Sequence, residues 1–280
     1  MQRVLDRHKI RPKRNFGQHF LTDKSVLERE VAYAQVRRAD AVLEIGAGIG
    51  NLTELLLQRA GRVVAIEVDR QFETSLLELQ GQYDNLEIVW GDALEVDFPP
   101  FDKVVASLPY KVALPITFKL LDFKFERGIL IYQQRLAQRI CASVEENGYS
   151  RLGVSIGRRA QVQLLETIGR DAFDPRPDVE SAMVELRPTQ AKFDNPSEEF
   201  FKLVLEQLFA QRTKSVQEAV RGIRNRKLPR AALERALENM GARIKKRQVS
   251  SVPPRDFGRI SWALWRVVAG RKGAKSKRQS

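Results

Sequence analysis

The sequence predicts an α/β protein: a parallel sheet with helices on both faces, followed by a smaller helical domain. The first observation is that short runs of Val, Ile and Leu alternate with segments of helical spacing up to residue 186. Such alternation builds parallel sheets, and continuous apolar runs are typical of strands that are buried on both faces. The second observation is that residues 199–270 carry Leu, Phe, Ala and Val at helical spacing.

Each element follows from a local pattern. A helix is expected over 24–38, where Thr22 or Asp23 can cap the first turn. The pattern of residues 151–166 predicts strand-like segments. Apolar runs predict the other strands and helical spacing predicts the next helices: strands at 41–45, 62–68, 86–90, 103–106, 127–132 and 182–186, and helices at 51–59 and 71–79.

The chain is expected to form two domains and a tail. Pro188 and the turn at 194–196 interrupt the pattern, so we place the domain boundary there. The α/β domain then covers 1–188 and the helical domain covers 189–270. Residues 271–280 carry five Lys or Arg side chains and are expected to be a disordered basic tail.

The charge balance predicts a polyanionic partner. Lys and Arg number 48 against 35 Asp and Glu, which gives a net charge of +13. This excess favours RNA first and DNA second, and a generic basic surface is the alternative. An anionic membrane is disfavoured because no amphipathic helix stands out. The candidate phosphate-binding residues lie in the helical part: Arg212, Lys214, Arg221 and Arg224.

The cysteine content and the apolar segments of the chain predict the cellular compartment in which the protein acts. Cys141 is the only cysteine, which excludes an intrachain disulfide and a zinc cluster built on cysteines. Residues 1–15 are basic but lack the apolar segment of a secretion signal. No apolar stretch approaches the ~20 residues that a membrane span needs. We therefore expect a cytoplasmic protein.

A glycine-rich turn follows the first strand of the predicted sheet. Gly46, Gly48 and Gly50 form the pattern G-x-G-x-G between a strand and a helix, where the backbone turns tightly and a ligand can touch it. A dinucleotide site would have a further glycine where this chain has Asn51. This departure favours S-adenosylmethionine, which has no pyrophosphate to place on the helix N-terminus. A plain strand-to-helix turn is the alternative.

Two acidic residues follow the next two strands. Glu67 ends the second strand about 20 residues further on, where an acid binds ribose hydroxyls, and Asp69 is the competing candidate. Asp92 follows the third strand and is placed to accept a hydrogen bond from the adenine amine of the cofactor; a helix N-cap is its alternative role. Because the carboxyl ends of parallel strands share one edge of the sheet, we expect these groups to form one site.

The segment Ser107-Leu108-Pro109-Tyr110 predicts a site for a target base. An adenine N6 amine is a weak nucleophile because its lone pair is delocalised, and acceptors for its N–H bonds help to free that lone pair. Ser107 Oγ and the Leu108 carbonyl are the candidate acceptors, and Tyr110 offers a ring for an extruded base. Phe173 is the candidate for the opposite wall. The alternatives are Tyr110 as core packing and Phe173 as an exposed residue at the core edge.

On these motifs the chain resembles the small-subunit rRNA adenine N6,N6-dimethyltransferases, whose relatives include the erythromycin-resistance rRNA methylases and mitochondrial transcription factor B. The likeness covers nearly all of residues 10–265. Besides the cofactor motifs, it rests on four segments: 16–23 resembles G-Q-N-F-L-x-D, 107–110 resembles N-L-P-Y, 173–182 resembles F-x-P-x-P-x-V-x-S-A, and 209–214 resembles F-x-Q-R-R-K.

The resemblance implies a Rossmann-like, S-adenosylmethionine-dependent methyltransferase domain followed by a small helical RNA-binding domain. His19 and Leu21 belong to the motif that caps the methionine end of the cofactor. The implied activity is dimethylation of adenine N6 in small-subunit rRNA during ribosome biogenesis. We expect direct methyl transfer that needs no metal, carried out by a monomer.

Two positions depart from the family pattern. The Asn of N-L-P-Y is Ser107, and the Asn of the N-terminal motif is His19. Serine keeps one acceptor oxygen but loses the reach of a carboxamide, which motivates an alternative: a catalytically weakened ribosome-assembly or nucleic-acid-binding factor of the same fold. The intact Glu67, Asp92 and Tyr110 argue against it. A large-subunit drug-resistance methylase is less favoured because the second domain opens as in the small-subunit branch. A DNA adenine methylase is the least favoured because the sequence has no recognisable target-recognition domain.

Overall fold

The computed structural model describes residues 18–226 and 228–276, and its contacts divide the chain into two compact units. The first unit runs up to Gln138 and again from Ala160 to Pro188. The second comprises Arg139–Arg159 and the chain from Thr189 onward. Within the described ranges, no helix has both the length and the apolar character that crossing a bilayer requires.

A seven-stranded sheet is the centre of the first unit. The strands in the described part of this unit are β1 (Phe20–Leu21), β2 (Ala41–Ile45), β3 (Arg62–Glu67), β4 (Leu86–Trp90), β5 (Lys103–Ser107), β6 (Arg127–Gln133), β7 (Ala160–Ile168), β8 (Phe173–Asp174) and β9 (Ser181–Pro188). The sheet order is β4-β3-β2-β5-β6-β9-β7, and β1 pairs with β8 separately. The first five strands in this order, from β4 through β3, β2 and β5 to β6, are parallel to one another. Strand β9 pairs antiparallel with β6, and β7 pairs antiparallel with β9 at the edge of the sheet. The predicted α/β fold is confirmed.

Helix α1 (Lys24–Ala34) precedes the parallel strands, and three helices return the chain between them: α2 (Asn51–Leu57), α3 (Glu73–Gln80) and α4 (Ala113–Leu120). Asp23 caps α1, because its Oδ1 accepts from the N–H groups of Ser25 at 2.9 Å and Val26 at 3.3 Å. The helix ends before the predicted residue 38, since Gln35 takes a left-handed conformation with φ of 51°. These crossovers leave the carboxyl ends of the parallel strands along one edge, where open sheets bind ligands.

The second unit is helical. After α5 (Gln134–Cys141), which crosses from the first unit, its described helices are α6 (Arg151–Arg159), α7 (Glu198–Phe209), α8 (Val216–Arg221), α9 (Arg230–Glu238), α10 (Ala242–Lys246) and α11 (Pro254–Ser276). Their apolar faces form one core, in which Phe201, Leu208 and Phe257 are almost fully buried. Ser215 and Glu218 begin α8 with a capping box.

Residues 151–159 differ from the prediction in two ways. They form α6 rather than a strand, and they pack with the helical unit rather than with an α/β domain of 1–188. Leu152, Val154 and Ile156 alternate with small or polar residues, which imitates the period of a strand. However, Tyr149 and Val154 are buried in the helical core, and this tertiary packing overrides the local pattern.

The end of the chain also differs from the prediction. Residues 271–276 continue α11 instead of forming a disordered tail, and residues 277–280 lie outside the described part. Trp265, Val267 and Val268 of α11 pack against the helical core. This packing fixes the helix immediately before the basic segment, so helical hydrogen bonding propagates into it.

Candidate active site

A cavity of about 360 Å³ lies at the carboxyl edge of the sheet, within the first unit. Strands β1 and β8, the turn after β2, and the ends of β3, β4 and β5 form its wall. Phe16 and Gly17 of the N-terminal motif lie outside the described residues. Every site residue that the sequence placed in the α/β domain contributes to the wall: His19, Leu21, Gly46, Gly48, Glu67, Asp92, Ser107, Leu108, Tyr110 and Phe173.

The glycine turn brings bare backbone to the cavity. Gly46 and Gly48 have φ values of 82° and 55°, in the left-handed region that favours glycine. A Cβ on Gly48 would lie 3.2 Å from Phe20 Cε1, which is tighter than an ordinary van der Waals contact. The Gly46 N–H donates to the Ile66 carbonyl at 2.8 Å and so fixes the turn against β3.

Glu67 ends β3 with its carboxylate held by backbone groups. Its Oε2 accepts from the Gly48 N–H at 2.8 Å, and its Oε1 accepts from the N–H groups of Val68 at 2.9 Å and Asp69 at 2.8 Å. Burial raises the pKa of Glu67, and these three bonds oppose the rise. A carboxylate has about four acceptor positions, so Oε2 keeps one position for a further donor.

Asp69, the competing candidate, is tied to its own neighbours. Its Oδ2 accepts from the side-chain amides of Gln18 at 3.0 Å and Gln71 at 2.7 Å. Its Oδ1 accepts from the Gln71 N–H at 3.1 Å. These bonds hold Gln18 and the end of β3 together, and the geometry favours Glu67 as the acid that meets a ligand.

Asp92 caps a turn rather than a helix, and its role as an acceptor for the adenine amine stays a prediction. Its Oδ1 accepts from the Leu94 N–H at 2.8 Å, so the side chain caps the turn that follows β4. The residue is also exposed and lines the cavity. Because a carboxylate accepts several hydrogen bonds, the capping bond on Oδ1 leaves Oδ2 as the acceptor for an amine in the cavity.

Tyr110 and His19 present their rings to each other in the cavity wall. The ring centroids are 6.3 Å apart and the planes differ by 25°. The Tyr110 hydroxyl forms a hydrogen bond of 2.7 Å with Ser181 Oγ, and His19 Nδ1 donates to the Pro175 carbonyl at 2.7 Å. Burial raises the pKa of Tyr110, so the phenol remains neutral. Both rings are therefore oriented by hydrogen bonds at their polar ends.

Ser181 is a site residue that sequence reasoning missed. It lies at the start of β9, is fully buried, and positions Tyr110 through its hydroxyl. The available signal was its place in the segment 173–182, which resembles a family motif. The contact itself joins residues that are 71 positions apart in the chain, so only the fold brings them together.

Phe173 is buried rather than exposed at the core edge. Its β8 strand pairs with β1, where Phe173 stands opposite Leu21, and only 5% of its surface is accessible. The alternative of an exposed Phe is therefore wrong. Phe173 still lines the cavity, and its role as a wall for the target base stays a prediction.

The four basic candidates lie in the second unit, and all are exposed. Arg212 donates to the Asn147 carbonyl at 3.3 Å, and Lys214 donates to Gln211 Oε1 at 3.1 Å. Each keeps further N–H donors for a phosphate. Arg221 differs, because its guanidinium is paired with Glu234 at 3.1 Å.

A second basic segment, residues 243–247, adjoins the loop that carries Arg212 and Lys214. The Val249 N–H donates to the Lys214 carbonyl, and the Ser250 N–H donates to the Arg212 carbonyl, both at 3.0 Å. These bonds bring the loop before α8 against the chain that follows α10. Sequence reasoning missed the basic side chains of that segment, although the run is visible in the chain: Arg243, Lys245, Lys246 and Arg247.

Comparison with known sequences gives consistent matches. A family model described as ribosomal RNA adenine dimethylase matches residues 8–252. The probable ribosomal RNA small subunit methyltransferase A of Thermococcus sibiricus is 40% identical over 221 residues, which cover 78% of this chain and 78% of that protein. The protein of the same name from Methanococcus maripaludis is 35% identical over 260 residues, which cover 91% of this chain and 99% of that protein.

Solved structures agree with the sequence matches. A dimethyladenosine transferase from Plasmodium falciparum superposes with a TM-score of 0.76 at 26% identity, over 89% of this chain and 98% of that chain. The 23S rRNA methyltransferase ErmE superposes with a TM-score of 0.64 at 27% identity, over 88% of this chain and 99% of that chain.

Proposed function

Because the chain belongs to the ribosomal RNA adenine dimethylase family, we propose that it dimethylates adenine N6 in the RNA of the small ribosomal subunit. The enzyme uses S-adenosylmethionine as its methyl donor. The observation that carries the proposal is one cavity whose wall holds both the cofactor motifs and the segment Ser107-Leu108-Pro109-Tyr110.

The residues of the cavity fit the donor. A ribose needs acceptors for its two hydroxyls, and Oε2 of Glu67 keeps an acceptor position. An adenine needs an acceptor for its amine, and Asp92 lies one strand away at the same edge. The turn at Gly46 and Gly48 presents backbone without side chains, so a ligand can approach closely.

The remaining wall residues act on the target base. The bound donor supplies a sulfonium methyl group that a nitrogen lone pair can attack directly. Ser107 Oγ and the Leu108 carbonyl would accept hydrogen bonds from the adenine N6–H groups and so turn the lone pair out of the ring plane. Tyr110 would hold the extruded base by stacking, with its ring fixed by Ser181. These residues thereby stabilise the geometry of the transition state more than that of the ground state.

The basic surface of the second unit would hold RNA through phosphates. Arg212, Lys214 and Arg224 are exposed, and the adjoining segment 243–247 extends the same charge. Contacts of this kind position a substrate without reading its bases. We propose further that the protein acts as a monomer in the cytoplasm.

Removing the Glu67 carboxylate should weaken donor binding. Glu67→Ala is expected to lower the affinity for S-adenosylmethionine by ~1–3 kcal/mol, the contribution of a charge-assisted hydrogen bond. Calorimetric titration checks the value, with circular dichroism to confirm that the variant folds. Asp69→Asn is the matched control, because Asp69 is bonded to Gln18 and Gln71 and should leave the affinity unchanged. Equal affinities for Glu67→Ala and wild type would remove Glu67 from the site.

Removing the Ser107 hydroxyl should slow the reaction without weakening RNA binding. Ser107→Ala is expected to lower turnover by about one to two decades, because the lost hydrogen bond contributes ~1–3 kcal/mol mainly in the transition state. Ser107→Asn should retain or raise the rate, above all for the second methyl group, when one N–H remains to be held. Single-turnover rates and RNA affinities measured in parallel check both expectations. A Ser107→Ala variant as fast as wild type would exclude this role.

RNA binding should depend on salt and on specific basic residues. Affinity is expected to fall linearly on a log–log plot against salt, with each lost phosphate contact reducing the slope by ~0.7–0.9. Arg224→Gln should therefore reduce the slope, whereas Arg221→Gln should change it less because Glu234 already pairs with Arg221. Filter binding between low and moderate salt measures both slopes. An RNA affinity that does not depend on salt would show that the basic surface does not bind RNA through phosphates.

The choice of ribosomal subunit can be tested directly. Small and large subunits are purified from cells that lack the corresponding methylation and are incubated with the protein and methyl-labelled S-adenosylmethionine. We expect label in small-subunit RNA and none in large-subunit RNA. Labelling of the large subunit alone would favour an activity like that named for ErmE.

A further inference from the structure

Two buried carboxyl groups of the first unit have oxygen atoms without a hydrogen-bond partner among the described residues. Both oxygens of Glu30, on α1, and Oε2 of Glu44, on β2, are unpartnered. The two residues are 0% and 1% exposed. Glu44 forms part of the cavity wall, and Glu30 interacts with it electrostatically. An unpartnered acid at a cavity wall is an acceptor that a ligand can use.

Among the described residues, no positively charged group contributes to the pKa shift of Glu44. On the neighbouring strands its register partners are Ala65 of β3 and Val105 of β5. From α2 comes the uncharged hydroxyl of Thr53, and the charged groups that act on the pair are the carboxyls themselves and Glu67. Like charges in a buried cluster cannot all ionise. Without a cation in the cavity, the cluster therefore holds protons.

Burial supports the same conclusion. It raises the pKa of Glu44 to about 8, with the nearby Glu67 adding to the rise. It raises the pKa of Glu30 well above the ordinary value, and Glu44 adds to that rise. Glu67 is different because three backbone N–H groups bind its carboxylate. Glu44 is thus protonated at neutral pH. Of the two carboxyl groups Glu30 and Glu44, Glu44 is the one that ionises more readily.

We propose that Glu44 gives up its proton to solvent when the cationic methyl donor occupies the cavity, so that donor binding and proton release are coupled. The inference rests on the proposed use of S-adenosylmethionine, whose sulfonium and ammonium groups are positive. A positive charge in the cavity favours the carboxylate, and the ionised Glu44 in turn attracts that charge.

The coupling would also help the product to leave. Transfer of the methyl group breaks the C–S bond and leaves the electron pair on sulfur, so the sulfonium becomes a neutral thioether. Glu44 then loses part of its counter-charge and takes a proton back from solvent. Affinity for the donor should rise with pH and level off above about pH 8, as Glu44 becomes ionised in the free protein as well. Affinity for the product should depend on pH less.

Calorimetric titration at pH 7 tests the coupling. S-adenosylmethionine and S-adenosylhomocysteine are each titrated in phosphate and in Tris, whose ionisation enthalpies differ, so that the number of protons released can be obtained. Wild type should release close to one proton with S-adenosylmethionine and clearly fewer with S-adenosylhomocysteine. Glu44→Gln, which keeps the shape of the protonated acid, should abolish the release. Glu30→Gln is the matched control and should retain it.

Three results would overturn the proposal: no proton release by wild type, the same release by Glu44→Gln, or equal release with both ligands. A failure of the underlying function looks different, because a protein that bound neither ligand would lose the donor assignment as well. Thermal melting of both variants confirms that they are folded under the conditions of the titration.

Discussion

Tyr110→Ala is expected to lower kcat/KM for methyl transfer by between about tenfold and a hundredfold, because stacking on an aromatic ring contributes ~1–3 kcal/mol per base. The target adenine must leave the RNA fold to reach the donor, and Tyr110 is the ring whose position is fixed at the cavity by a hydrogen bond to Ser181. The loss should appear in steady-state kinetics on undermethylated small subunits. Donor affinity should change little.

Two milder variants separate stacking from positioning. Tyr110→Phe keeps the ring but loses the bond to Ser181, and Ser181→Ala loses the same bond from the other side. Both should reduce the rate less than Tyr110→Ala, and the double variant should be no slower than either single one, because one interaction is removed in each case. Additive losses would show that Ser181 acts independently of Tyr110. An unchanged rate for Tyr110→Ala would remove base stacking from the account.

Asp40→Ala is expected to lower the free energy of unfolding by ~3–5 kcal/mol, because it leaves a buried ammonium without its counter-charge. Lys103 is 0% exposed, and its Nζ lies 2.8 Å from Asp40 Oδ2 and also donates to the Gln35 carbonyl. Burial raises the pKa of Asp40, but the bonds from Lys103 and Arg37 outweigh it and hold the pKa below the ordinary value. Urea denaturation near pH 7 measures the loss.

The control for Asp40 lies on the same network. Glu126 pairs with Arg37 at 2.8 Å but is half exposed, so Glu126→Ala should lower stability by ~0–1 kcal/mol. Because the pKa of Asp40 is lowered in the folded state, its contribution is present above the ordinary carboxyl pKa and is lost as the pH falls below it. The difference between wild type and Asp40→Ala should therefore shrink in acid. A loss below about 1 kcal/mol at pH 7 would contradict this view of the ion pair.

The first-unit sheet could be predicted from sequence because its strands are short, apolar and separated by clear turns. Strand β4 begins and ends at the predicted residues, and the end of β3 at Glu67 differs by one residue. The candidate cofactor-binding residues could be predicted for the same reason, because residues that follow successive strands of a parallel sheet meet at one edge. Position along the chain therefore predicted position in space for Gly46, Glu67 and Asp92.

Contacts between distant segments could not be predicted in this way. The pairing of β1 with β8 places His19 beside Tyr110, and no local pattern encodes that pairing. The bond between Tyr110 and Ser181 has the same character. The apolar residues of 151–159 alternate as they do in a strand, whereas the helix that forms there depends on packing against the helical core. Local pattern fixes local structure only where tertiary packing agrees with it.

Mass spectrometry of nucleosides tests the central claim most directly. Small subunits that lack adenine dimethylation are incubated with the protein and S-adenosylmethionine carrying an isotopic methyl label, and their RNA is digested to nucleosides. The account predicts N6,N6-dimethyladenosine with two labelled methyl groups for wild type and a strongly reduced amount for Tyr110→Ala. Absence of labelled dimethyladenosine with folded, donor-binding wild-type protein, or label on a different nucleoside, would contradict it.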